Sequence, residues 1–293
     1  NKEYDEAYLK DPRNPRWIAK PTVAYLWTRT VTCKQCRATV PLLKTRWLAK
    51  KDNKRVLLTM EPNADKNGVS FGVQNNVPLT GGNAAQRREN DKRISVGTMS
   101  RSGAACPCCG AIQTMEDIRL EGRAGRLGAV MTAVVVEGYK NKEYRSPTEH
   151  ETTVARDAES DTNALFREIP FGLPDEATPK GGGGAARAFS VDGYGLDRWW
   201  KLFNARQLLC LGTLVREIRT DWPRAAEGLG EHWVEAVRAY IIAALTRLAD
   251  YNSTICIWGS SRETIAHTFT RFALPITWDF CEANAISTST GSF

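Results

Sequence analysis

At 293 residues, with 42% hydrophobic and 25% charged side chains, this chain can bury a sizeable core and has the composition of a folded protein, not of a disordered or fibrous one. It has no apolar run of bilayer-spanning length, and its first residues, Asn-Lys-Glu-Tyr-Asp-Glu, are charged, so neither a membrane partner nor a secretory signal is expected and a cytoplasmic setting follows. The net charge of +7 is unevenly spread, because residues 12 to 60 hold twelve Lys and Arg against a single acid, Asp52, with Trp17, Trp27 and Trp47 interleaved. That is the electrostatic footprint of a polyanion binder, weighed against a plain solvated face with its tryptophans in the core.

Residues 1 to 21 carry Pro12, Pro15 and Pro21 and predict an irregular lead-in. The β-branched and aromatic run 22 to 32 predicts a strand that enters the pair Cys33-Lys34-Gln35-Cys36. Strands are expected over 40 to 49 and 55 to 60, as a hairpin around Lys50 to Lys54, and over 69 to 73. The polar stretch 74 to 92 predicts a flexible loop, and 93 to 99 a strand returning to Cys106-Pro107-Cys108-Cys109-Gly110.

Two CxxC pairs supply the four thiolates of a closed tetrahedral site, so Cys33, Cys36, Cys106 and Cys109 are the expected ligands of a structural Zn2+ in a zinc ribbon. Cys108 could replace Cys109, but only the 106/109 choice keeps the two-residue spacer. A disulfide framework is disfavoured because nothing suggests export. A thioredoxin-like redox pair is disfavoured because neither CxxC lies at a strand-to-helix turn. Four cysteines leave no open position for a reactive water.

Beyond the ribbon, Thr114-x-x-Asp117 predicts a short helix to about Leu120, and 123 to 128 a turn. Residues 130 to 136 predict a strand turning back toward Tyr144, and Pro147 starts a helix to about Leu165. Pro170, Pro174, Pro179 and the glycines 181 to 184 place a linker at 169 to 194. Helices follow from an Asn204 cap to about Arg219, from about Glu231 to Asp250 with Trp233, Tyr240 and Leu248 on a core stripe, and from Ser261 to Phe272. Cys210, Cys256 and Cys281 read as buried small hydrophobes, and His267 has no nucleophile to serve. The expected class is α+β: a zinc-ribbon β unit over 1–168 (ribbon core 22–115), the linker, and a mainly helical unit over 195–293.

Several phrases carry a further signal. Ala24 to Cys33 followed by Val40-Pro41-Leu42-Leu43, the second cysteine pair, Glu121 to Gly128, Tyr144 to Glu149, Tyr194-Gly195-Leu196, Leu202 to Leu209, Trp258 to Glu263, Ala273-Leu274-Pro275 and Trp278 to Asn284 resemble, in order, segments of the adenine-specific DNA methylases that contain a zinc ribbon. Those are large proteins with an N-terminal domain of unassigned function. The resemblance implies S-adenosylmethionine as methyl donor, DNA as partner, and a restriction or phage-defence role. The family's glycine-rich donor loop and Asp-Pro-Pro-Tyr catalytic motif have no counterpart here; Asn14-Pro15-Arg16-Trp17 departs from the latter at its third position. The expectation is therefore an internal segment without catalytic or donor-binding residues, which needs the remaining methyltransferase halves for chemistry. Arg29, Lys34, Arg37, Lys44, Arg46, Lys50 and Lys51 are its candidate phosphate contacts. A non-enzymatic zinc-ribbon adaptor is the alternative; a self-contained hydrolase is weaker, since no paired acids or His cluster appear.

Overall fold

A computed structural model describes residues 20–138, 141–181, 183–185, 187–222 and 226–286. The described residues form twelve strands and five α-helices, a mixed α+β architecture organised on β1 (Thr22–Thr32). One edge of β1 pairs along its length with β8 (Gly128–Glu137), which pairs in turn with β9 (Lys142–Arg145). The other edge is shared: β12 (Asp279–Ala283) covers residues 24 to 28, and β2 (Thr39–Pro41) covers 30 to 32. All these pairings are antiparallel.

Alternation gives the sheet two apolar faces. Leu26, Ala133, Val135, Cys281 and Ala283 point to one, and Trp27, Val134, Val136 and Phe280 to the other. The β1–β8 register slips at Val23 and at Thr132, and the second bulge turns Met131 to the side of Val134. On the first face lies an antiparallel meander of β3 (Trp47–Lys51), β4 (Lys54–Pro62) and β5 (Val69–Gln74), contributing Leu48, Val56 and Leu58. The second face meets Ala155 of a helix spanning Glu149–Glu168, labelled α3 below.

The helices are α1 (Ala84–Ile94), α2 (Met115–Arg123), α3, α4 (Ala205–Thr220) and α5 (Glu231–Tyr251). Thr114, Thr148 and Asn204 each close a capping box at the start of α2, α3 and α4. Helix α3 begins at Glu149 with Thr148 as its cap, so Pro147 lies before the helix and not at its first position. Helix α4 packs closely on α3 at Gly212, where a Cβ would come within 2.9 Å of Leu165 and Phe166.

Several expectations are corrected. The loop expected over 74 to 92 contains α1, capped by Asn83, whose side chain accepts the Gln86 amide. The strand expected over 93 to 99 is reduced to isolated bridges at Val96 and Met99. The expected strand 40 to 49 divides, β2 joining β1 and β3 joining β4. In place of a helix over 261 to 272, β10 (Ile257–Gly259) and β11 (Thr264–Ala266) form a hairpin, with Glu263 at φ 55° in its turn. The apolar stripe of α5 is mostly outside the core: Leu248 is buried, but Trp233 and Tyr240 are 71% and 80% exposed.

The unit expected over 195 to 293 is not separate, because β12 completes the sheet of the first. The expected linker takes part in the same packing. Ser190 and Val191 donate to the Leu274 carbonyl, and Tyr194 meets Trp278 edge-on at 5.0 Å.

Candidate metal centre

Strand β1 delivers Cys33 at its end, and the chain turns so that the Arg37 amide donates to the Cys33 carbonyl. The second pair sits at the tip of a hairpin of β6 (Gly103–Ala105) and β7 (Ile112–Thr114), where the Gly110 amide donates to the Cys106 carbonyl. The two turns have the same shape. Arg37 (φ 64°) and Gly110 (φ 78°), each following the second cysteine of its pair, lie in the left-handed region.

This symmetry brings Cys33, Cys36, Cys106 and Cys109 together with their sulfurs all within 4.8 Å of one another. Cys33 and Cys109 are 3.7 Å apart, and Cys36 and Cys106 are 3.6 Å apart. A disulfide would bring two sulfurs to about 2 Å. A tetrahedral ion with bonds of about 2.3 Å needs edges of about 3.8 Å, which these separations match. The four cysteines could therefore hold a metal ion. Cys33 and Cys106 are buried and Cys36 and Cys109 exposed, so the cluster has an inner and an outer edge. Cys108 lies outside it and approaches the Gly68 carbonyl at 3.3 Å.

Burial acts to raise the Cys33 thiol, but the nearby amides of Cys36 and Gln35 and the thiols of Cys36 and Cys109 outweigh it and bring it to about 7. Burial dominates at Cys106 and pushes its thiol up to about 12. A metal ion would displace the protons of these thiols, so its affinity for the cluster should rise with pH. Gln113, fully buried on β7, was not singled out in the sequence. It donates to Cys33 Sγ at 3.4 Å and accepts the Lys34 amide at 3.1 Å, which fixes the first turn against the second hairpin.

The candidate phosphate contacts fall into two groups. Arg29 is buried on the helix side of the sheet, so it is no surface contact. Arg46 donates to the Ile94 carbonyl at 2.6 Å, Lys50 pairs with Asp91 at 3.1 Å, Lys51 pairs with Glu263, and Lys34 pairs with Asp117 at 2.7 Å. The basic window is therefore partly neutralised by acids from distant parts of the chain, which no local count shows. Arg37 and Lys44 are exposed and form no ion pair among the described residues. The same holds for Arg87, Arg88, Lys92 and Arg93 of α1, the first three of them in the stretch expected to be a loop and Arg93 at the start of the expected strand. The Thr45–Val96 bridge sets Lys44 beside the C-terminal end of that helix.

The fold and cluster define an α+β protein with a closed four-cysteine site suited to a structural metal. Comparison with protein-family models, with curated proteins and with solved structures returns no match. No described helix is long and apolar enough to cross a membrane.

Proposed function

We propose that this chain is the metal-stabilised, nucleic-acid-contacting part of an S-adenosylmethionine-dependent, adenine-specific DNA methyltransferase, with zinc as its ion. The ordered resemblance of its phrases to that family supports the assignment, as does the thiol cluster. The observation that carries the nucleic-acid contact is Arg37. It occupies a backbone conformation that costs an L-residue about 1 to 2 kcal/mol, at the place where the other turn has glycine. Its backbone closes the cysteine turn on the Cys33 carbonyl, while its side chain is exposed, forms no ion pair among the described residues and acts only through space on Glu121, so a cation is carried where glycine would close the same turn.

Cys33, Cys36, Cys106 and Cys109 would hold the ion, which supplies a cross-link between the two hairpins and no reactive position. Arg37, Lys44 and the four cations of α1 would grip phosphates. Donor binding and base methylation belong to the remaining parts of the parent enzyme, where the adenine must leave the duplex to be reached.

The test is metal content together with duplex binding by fluorescence anisotropy over a salt series. One zinc per chain is expected, and replacing Arg87, Arg88, Lys92 and Arg93 with Gln should weaken binding and flatten the slope by about 0.9 per lost phosphate contact. Equal affinity and slope in that variant would sink the assignment. The adaptor alternative draws on exposed Trp233 and Tyr240 of α5, which suit a protein partner. Donor and catalytic motifs encoded on either side of this segment would decide for the methyltransferase.

A further inference from the structure

Between the helix side of the central sheet and helices α3 and α4 lies a cavity of about 550 Å3, the size of a small-molecule site. Trp27 and Phe280, stacked with centroids 6.1 Å apart, line it from the sheet, and Trp200 and Phe203 line it from the segment before α4. Arg29, only 6% exposed, reaches the same cavity from β1.

The surroundings of Arg29 are incomplete. Its Nε donates to the Thr277 carbonyl at 2.9 Å, and its Nη2 donates to the Thr254 carbonyl at 3.3 Å and hydroxyl at 2.8 Å. Its guanidinium lies 5.5 Å from the centre of the Phe280 ring. All these partners are neutral. Its Nη1 makes no hydrogen bond, and no acid pairs with it, among the described residues.

Among the described residues the other buried charged side chains, Asp279 apart, have a counter-charge. Arg55 meets Asp91, Glu263 meets Lys51 and Lys54, and Glu282 meets Arg206. Burial lowers the Arg29 pKa only to about 10, so it remains a cation at neutral pH. A buried charge without a partner is destabilising until something supplies the counter-charge. The N-terminal end of α4, the positive end of its dipole, also reaches the wall at Ala205 and Arg206. The acid on the wall, Glu159, is exposed to solvent.

We propose that this cavity binds a small organic anion, with one carboxylate or phosphate group on Arg29 and an aromatic body among Trp27, Phe280, Trp200 and Phe203. The site is separate from the proposed DNA contacts and stands without them. The ligand supplies the counter-charge that the described fold withholds from Arg29, and the aromatic walls select a planar ring.

The test follows thermal unfolding of the zinc-loaded protein with adenosine monophosphate, indole-3-acetate and inorganic phosphate as probes. At least one of the two aromatic anions is expected to raise the midpoint, well beyond the effect of inorganic phosphate. A rise with the nucleotide alone identifies a phosphate ligand, and one with indole-3-acetate alone a carboxylate. Arg29→Met should weaken binding by about tenfold or more through loss of the charged donors. Ala155→Phe, which fills the cavity and leaves Arg29 in place, should do the same and serves if Arg29→Met does not fold. No rise with either aromatic anion, an equal rise with inorganic phosphate, or a rise that Ala155→Phe retains would overturn the proposal.

Discussion

Arg37 and Gly110 are equivalent positions that evolution has filled differently, and the difference is measurable. Glycine accepts φ near 64° without a Cβ clash, so Arg37→Gly should stabilise the zinc-loaded protein by about 1 kcal/mol in chemical unfolding while weakening duplex binding. A loss of stability would mean that the arginine holds the fold. Glu151 illustrates the opposite case, a side chain whose charge the fold uses. Its carboxylate accepts the Thr148 amide at 2.8 Å and both Nη atoms of Arg145 at 2.7 Å. Burial acts to raise its pKa, but Arg145 and the Thr148 amide outweigh it and hold the group at about 2. A depressed acid contributes stability above its unfolded pKa of about 4.3 and loses that contribution as pH falls through the folded value. Glu151→Gln should therefore cost about 1 to 2 kcal/mol at neutral pH, and urea unfolding should show the gap to the native protein closing between about pH 4 and pH 2. A constant gap would mean that its charge is irrelevant.

Among elements, β6 and β7 are three residues each and form a two-stranded sheet, which has little stability of its own. Their anchor is the cysteine cluster and the surrounding Val40, Leu42, Ala104 and Ile118. Chelation should therefore release amide protection in β6, β7 and α2 while the β3–β5 meander stays protected, as hydrogen exchange would read. Cys106→Ser should do the same, and Cys108→Ser should not. Legibility in the sequence followed the range of the forces involved. The cysteine spacing encodes a local turn, and β1, β5 and β8 announce themselves by alternating or continuous β-branched residues. Helix α1 was hidden because its one buried side chain is Asp91, held by Arg55 and Lys50 from the meander. Ile265, Thr268 and Phe269 fell at helical spacing by coincidence, since the turn at 260 to 263 fixes a hairpin. The cavity at Arg29 was illegible because residues far apart in the chain build its walls.

At the scale of the whole molecule, the pairing of β12 with β1 joins the two ends of the described chain and leaves no independent C-terminal unit. Separately expressed halves, divided within residues 181 to 184, should each fail to fold, whereas the full chain should unfold in one transition. A soluble, cooperatively melting N-terminal half would show that β12 is dispensable. The shared edge of β1 also has a consequence for synthesis. Residues 30 to 32 find β2 almost at once, but residues 24 to 28 wait for a partner made some 250 residues later. At about 5 to 20 residues per second, that edge of the nascent chain stays unpaired for roughly ten to fifty seconds on the ribosome. Ala24-Tyr25-Leu26-Trp27 is then an open template for intermolecular strand addition. Chaperone supply and translation rate, more than the stability of the finished fold, should set the yield of soluble protein.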